Sequence, residues 1–296
     1  MVRCRAGRYP RTPRPTKRAL YRLLPNLGAP IGFFCAYGLN LLLDSTLGST
    51  AMQAWGWRIP FLCSAVLVII GLYVRLRMTE TPIFRKAVEQ DRVVKHPLRS
   101  LLPYWKEVLL GTFAMGITYS LFYVLGTWSL SYAVKVMKPP SARRYLAMQM
   151  VSVVFFAIFI FVTCIYSDKL GRKTVLISTT LATLVFSLFA MQSLQHNVLT
   201  VMLFLCVGFA LMGGLFGPCG AYLPELFPTH VRYSGAGLSY NLAAILGGAF
   251  APAISTALVK STGAVESVGW YLAVMSLLAL IALFLIKESK DEDYEK

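Results

Sequence analysis

The sequence predicts an all-α integral membrane protein with eight transmembrane helices, and three observations carry that prediction. Hydrophobic residues make up 56% of the 296-residue chain and charged ones 14%, with a mean hydropathy of +0.61. A soluble domain needs more charge than this to cover its surface. Apolar runs of about 18 residues or more, long enough to cross a hydrocarbon core about 30 Å thick, recur from end to end. The basic residues then collect in alternate connections between those runs.

The runs cover residues 29–47, 59–76, 108–133, 145–166, 174–190, 199–223, 234–259 and 270–286, with almost no ionisable side chain in their interiors. If the N-terminus is cytoplasmic, residues 1–25, 75–107, 167–173, 224–233 and 287–296 share its side and hold 23 of the 29 basic residues. The other six are Arg58, Lys135, Lys138, Arg143, Arg144 and Lys260. This positive-inside pattern puts both termini in the cytoplasm. Anionic lipid headgroups account for the formal charge of +16, so nucleic acid is not an expected partner.

Taken in order, residues 1–25 are basic and proline-rich, without the apolar core and small-residue cleavage site of a signal peptide. They read as a disordered cytoplasmic leader, an origin outside the ancestral fold being the alternative. Residues 26–76 carry two spans, 77–107 a long basic loop, 108–286 six spans and 287–296 a charged tail. Five of the six cysteines (Cys35, Cys63, Cys164, Cys206, Cys219) lie in or beside apolar runs without a CxxC pair, and Cys4 is in the leader. They read as small buried hydrophobes. His96, His196 and His230 fall in loops. No nucleophile and base cluster, phosphate loop or metal-ligand spacing is visible, so neither an enzyme nor a cofactor is expected.

Polar side chains within spans need partners and tend to face a bundle interior. Thr118, Tyr119, Tyr123 and Trp128 in the third span, Gln149 in the fourth, and Tyr240 with Asn241 in the seventh are therefore candidates for a substrate path. The i,i+4 spacing of Tyr119 and Tyr123 puts them on one face. For the tyrosines, interface anchoring and interhelical bonding are rival roles. Asp44, near the outer end of the first span, is the candidate for proton coupling, with a solvated span end as the alternative. Gly213 and Gly217 form a small-xxx-small pair suited to close helix approach.

Between the fourth and fifth spans lies YSDKLGRKTVL, residues 166–176. Asp168 can cap backbone amides, Gly171 permits a sharp reversal, and Arg172 with Lys173 holds the turn in the cytoplasm. DKLGRK resembles the D-x-x-G-R-R/K loop motif of the major facilitator superfamily of secondary transporters. WGWRIPF at 55–61, ETPIF at 80–84 and PELFPTHVRYSGAGLSYNLAAILGGAFAP at 224–252 are similar to the metabolite:proton symporter branch, which includes shikimate, α-ketoglutarate and proline/betaine carriers.

The resemblance implies a partial fold, family helices five to twelve, with no counterpart of helices one to four. It implies that residues 26–76 are the last two helices of the first half, 77–107 the inter-half loop and 108–286 the second half. It places Asp168 against the start of the first span near residues 26–28 and Arg172 against Glu225. With Gly171 and Arg232, these form a gating set on the cytoplasmic side. The implied function is proton-coupled symport of a small polar metabolite by alternating access in a bacterial inner membrane. Alternatives are a non-transporting remnant of such a carrier and, behind it, an integral-membrane enzyme. The implied partners are the metabolite, protons and lipid; self-association is the route by which two copies would rebuild a cavity.

The topology has a direct check. A cysteine introduced at Val94 is expected to react only with reagent on the cytoplasmic side, and one in the 139–144 loop only with impermeant reagent outside. The opposite pattern would overturn the orientation.

Overall fold

A computed structural model of the chain describes residues 15–77, 100–136, 142–195, 197–228 and 231–286. Residues 1–14, most of the expected inter-half loop, all three histidines and the charged tail lie outside the described residues.

Everything regular among the described residues is helical. Helix α1 covers Pro15–Ala51 and α2 covers Arg58–Arg77, joined through a π-helical turn at Met52–Gly56. Helix α3 is one rod in three pieces, Trp105–Tyr123, a π-helical segment Val124–Trp128, and Ser129–Val136. Then come α4 (Ala142–Leu170), α5 (Arg172–Phe189) and α6 (Val198–Glu225). Helix α7 joins Arg232–Ala243, a π-helical segment Ala244–Ala249, and Ala251–Thr262. Helix α8 is Glu266–Leu285.

Eight stretches of these helices are long and apolar enough to cross a membrane, and each coincides with one of the eight hydropathic runs. Helix α1 bends at Gly48, whose φ of 76° lies where a residue with a Cβ is strained, one residue after the first run ends. At its other end the helix begins at Pro15, inside the segment expected to be a disordered leader. Proline at the first helical position has its φ preset, and the alanine, leucines and arginines that follow favour helix.

The helices alternate in direction. One rim of the bundle carries Asn26, Leu170, Arg172, Glu225 and Arg232 and is called here the loop-motif end. The opposite rim, the Asp44 end, carries Asp44, Arg143, Phe189 and Thr262.

Helices α4 and α6 make the most intimate pair. A Cβ built on Gly213 would stand 2.5 Å from the Phe156 carbonyl oxygen, and one on Gly217 would stand 3.0 Å from that of Ile160. The two glycines are one turn apart, so they clear a groove into which the α4 backbone settles. Elsewhere Gly247 of α7 abuts the Gly116 carbonyl of α3, and Gly269 of α8 abuts the Ser187 carbonyl of α5. Around these approaches Ile117, Leu121, Phe156, Ile160, Phe209 and Leu272 fill a common core.

Buried hydroxyls are largely satisfied within their own helices. Thr112, Ser129, Ser152, Thr180, Ser187 and Ser276 each donate to the carbonyl four residues back, at 2.5 to 2.8 Å. Helix α1 lies along α4, with Gly38 opposite the Met150 sulfur. Helix α2 buries nothing: Phe61, Leu62, Val66, Leu67, Ile69 and Leu76 all face outward.

The α4–α6 groove supplies a stability test. Gly213→Val is expected to overpack it and destabilise the protein by about 1–3 kcal/mol, read as a lower melting midpoint in detergent. Gly237→Ala, with nothing within 4 Å of the added methyl, should leave the midpoint unchanged or slightly raised. Equal effects would mean that the close approach is not a packing constraint.

Candidate functional site

The charged groups of the loop motif converge on one rim. Gly171 breaks α4 from α5 at φ 94° and ψ 141°, while its N–H still donates to the Ser167 carbonyl at 3.1 Å. That reversal turns Arg172 toward the end of α6, where its guanidinium pairs with the Glu225 carboxylate. Both side chains are about four-fifths buried, with 20% exposure each, so water screens this pair less than a surface bridge. Asp168 is more exposed, and its Oδ1 lies 3.9 Å from the other Arg172 terminal nitrogen. The start of the first span is tied to α6 by a separate bond, Asn26 Nδ2 donating to the Gly217 carbonyl at 3.2 Å. Arg232 Nε donates to the Phe227 carbonyl at 3.2 Å, closing the α6–α7 turn.

Lys173, assigned by sequence only to holding the turn in the cytoplasm, does more here. Its ammonium donates to the Ile286 carbonyl at 2.5 Å and reaches the Phe284 carbonyl at 3.5 Å. A cation at a helix C-terminus satisfies carbonyls left without intrahelical partners and complements the negative end of the dipole. The loop motif thus fastens α5 to α6 through Arg172 and to α8 through Lys173.

The polar residues of the spans separate into three groups. Tyr119 and Tyr240 are partly buried and pack on the same cluster, which includes Cys219 and Tyr222. Tyr123 sets its ring against Gly248 of α7 and lies edge-on to Phe122, with centroids 5.0 Å apart. Trp128, Gln149 and Thr118 are buried in the helix packing. Trp128 stacks on Tyr132 at 5.2 Å. Gln149 Nε2 donates to the Leu125 and Gly126 carbonyls at 2.9 and 3.0 Å, within the π-helical segment of α3, where the widened ladder disturbs backbone pairing. Gln149 Oε1 and Thr118 Oγ1 are buried without a hydrogen-bond partner among the described residues. Asn241 faces outward and donates to Gly237 of its own helix at 2.7 Å. The Ser120 and Tyr271 hydroxyls, unmarked by sequence, bridge α3 to α8 at 3.2 Å.

Asp44 is engaged at the other rim. Arg143 Nε donates to its Oδ2 at 2.9 Å, and Arg143 Nη2 donates to its backbone carbonyl at 2.8 Å, joining α1 to α4. Opposite charges flanking two spans at the same depth were the available sequence signal. The described residues include no group of histidine, cysteine and acidic side chains able to hold a metal ion. What the arrangement offers is neutral hydrogen-bonding surface inside the bundle and charged contacts at both rims.

Residues 141–296, more than half of the chain, match the family profile described as Major Facilitator Superfamily. The chain belongs to the Major Facilitator Superfamily. Residues 14–95 match a second profile, Sugar (and other) transporter. Among curated proteins, the superfamily chain is 45% identical to the inner membrane metabolite transport protein YhjE of Escherichia coli, over 94% of its own length and 64% of that protein. It is 40% identical to a Haemophilus influenzae protein, over 94% of itself and 66% of the relative. It is 28% identical to the citrate-proton symporter of Klebsiella pneumoniae, over 90% of itself and 60% of the symporter. The superfamily chain therefore spans less than two thirds of the length of the relatives it matches. No solved structure matches it. The superfamily is one of secondary transporters, not of enzymes.

The Arg172–Glu225 pair can be tested by a double-mutant cycle. Arg172→Gln and Glu225→Gln are each expected to lower unfolding free energy in detergent, and the double variant should lose less than their sum, with a coupling of about 0.5–3 kcal/mol. Strict additivity would mean that the pair contributes no net interaction.

Proposed function

We propose that this chain forms the translocation core of a proton-coupled symporter for a small polar metabolite in a bacterial inner membrane, with both termini cytoplasmic. Helices α3 to α8 act as the second six-helix half, and α1 with α2 as the last two helices of the first. The observation that carries this reading is the seam that α1 makes with α4 and α6. The seam joins the two halves and has a bond at each rim, Asn26 to Gly217 and Asp44 to Arg143. Alternating access needs such a seam, because it opens one rim while the other is closed.

The loop-motif contacts Arg172–Glu225 and Asp168–Arg172, with Gly171 setting the turn and Arg232 bracing the next, form the cytoplasmic lock in this reading. Tyr119, Tyr123 and Tyr240, partly buried on α3 and α7, are the groups offered to substrate. Proton coupling is supported by the resemblance to a citrate-proton symporter, and the inner membrane by the resemblance to an inner membrane metabolite transport protein. Tyrosine hydroxyls suit carboxylates and zwitterions such as shikimate-like, dicarboxylate or betaine-like solutes.

A second reading, a remnant that does not transport alone, draws support from α2. This apolar helix buries no residue, so in this reading α1 and α2 by themselves do not close a wall around a path. A water-filled path with an incomplete wall leaks. The test is uptake of radiolabelled dicarboxylate, shikimate and betaine into proteoliposomes under an inward proton gradient, with the chain alone and extended by the first four helices of a relative. Saturable, gradient-dependent uptake by the extended protein alone is expected. Uptake by the 296-residue chain alone would overturn the remnant reading and point to self-association, and uptake by neither would overturn the symporter proposal.

A further inference from the structure

The stretch WGWRIPF, residues 55–61, has no part in the seam or in the loop-motif contacts. It forms the turn from α1 to α2 at the Asp44 end. Gly56 is buried there: a Cβ on it would stand 3.0 Å from the Leu47 side chain and 3.1 Å from the Met52 sulfur. Its missing side chain lets the π-helical turn close back on α1, and the Trp57 N–H donates to the Met52 carbonyl at 3.1 Å. The bulky side chains are left outside, with Trp55 51% and Trp57 47% exposed.

Arg58 lies over this outer surface. Its guanidinium carbon stands 4.4 Å from the centre of the Trp57 ring, and its Nη1 donates to the Ala54 carbonyl at 3.1 Å. Trp57 in turn meets Phe61 edge-on, with centroids 5.9 Å apart. Arg58 is exposed, and among the described residues no carboxylate lies within ion-pair reach of it, whereas Arg143 at the same rim holds Asp44. A guanidinium held by a ring and one carbonyl keeps the rest of its planar fork for an anion, and that fork matches a phosphodiester. Below the turn the surroundings are apolar, with Phe61, Leu62, Val66 and Ile69 exposed along α2. At the far end of α2 a second arginine, Arg77, stands 5.2 Å over the Tyr73 ring.

From Arg58 to Arg77 the helix rises about 28 Å, close to the thickness of a hydrocarbon core of about 30 Å. The two arginine-on-ring pairs therefore reach the two headgroup layers. Arg77 belongs to the basic side read from the sequence. Arg58 belongs to the other side, where the positive-inside bias gives no reason for it. We propose that the Trp55–Arg58 turn binds one phospholipid of the leaflet at the Asp44 end: Arg58 takes the phosphodiester, the exposed indoles flank the glycerol, and the acyl chains run over Phe61 and Leu62. The occupant is a lipid, not a further helix or a second copy, because a phosphate supplies the anion that Arg58 lacks at the depth that the length of α2 sets. Bound there, the lipid tethers the α1–α2 turn at the headgroup layer. This site stands apart from the transporter reading and needs nothing from it.

The test puts the full chain in nanodiscs doped with phosphatidylglycerol that carries a photoactivatable diazirine on its headgroup. After irradiation, cleavage at Met52 and Met78 releases residues 53–78, and tandem mass spectrometry places each adduct. Adducts are expected at residues 55–58. Excess unlabelled phosphatidylglycerol should displace them, while diacylglycerol, which lacks the phosphate, and inorganic phosphate, which lacks the chains, should not. Arg58→Gln is expected to lower them about fivefold, the factor that one arginine contributes at an anionic surface, with Arg58→Lys between the two. Adducts at residues 73–77 should hold steady in both variants and serve as the internal control for insertion and folding. The proposal is overturned if residues 55–58 go unlabelled, as a covering helix or second copy would leave them. It is overturned equally if Arg58→Gln labels like the parent, if its loss at 55–58 is matched at 73–77, or if diacylglycerol or inorganic phosphate displaces the probe.

Discussion

The contact between α4 and α6 sets the spacing on which the other helices depend. In lipid there is little hydrophobic drive to press one apolar helix against another, so association relies on close van der Waals fit. Gly213 and Gly217 bring the α6 backbone onto the carbonyls of Phe156 and Ile160. With that distance fixed, the end of α4 and the end of α6 finish side by side. The reversal at Gly171 then delivers Arg172 to Glu225 and Lys173 to the last carbonyls of α8. A wider α4–α6 groove would leave the same charges on the same rim without bringing them together.

The spans were legible in the sequence because burial in lipid leaves its mark residue by residue. A run long enough to cross the bilayer needs no knowledge of its neighbours, and all eight were placed. The bend at Gly48 fell where the first run ended. The start of α1 was not legible: the charge and prolines of the leader resemble those of a disordered arm, while Pro15 and the helix formers after it carry a signal that composition hides. Contacts across the bundle were harder still. Asn26 and Gly217 are 191 positions apart, and nothing local to an asparagine two positions after a leucine announces a carbonyl partner. The nearness of Arg172 to Glu225 came from resemblance, not from spacing.

Gln149 shows how a sound rule can lead to the wrong neighbour. A glutamine within a span does need partners, and it does face inward. Its partners are backbone carbonyls of a π-helical segment, a local departure from the regular ladder that no hydropathy pattern encodes. Trp128 similarly carries an indole suited to a binding surface but is taken up by stacking on Tyr132. Tyr119 and Tyr240, by contrast, stay partly open over a shared cluster. The polar candidates thus divide by what each finds opposite it, which is a property of the assembled bundle.

The buried hydroxyls carry a mechanical consequence. Thr112, Ser129, Ser152, Thr180, Ser187 and Ser276 each bind a carbonyl of their own helix. When one helix slides past its neighbour, those bonds travel with it intact. Among the described residues, direct side-chain bonds between helices lie at the two rims and at scattered points between, where Gln149, Ser120 with Tyr271, Ser152 with Cys206, Thr163 with Gly213 and Ser239 with Val108 meet across neighbours. Most buried hydroxyls therefore set no hydrogen bond against sliding, and what holds neighbouring helices in register is the close backbone approach together with the few bonds that do cross. Substitutions that move a hydroxyl's bond from its own helix to the next would add to that register without changing the packing outline of either helix.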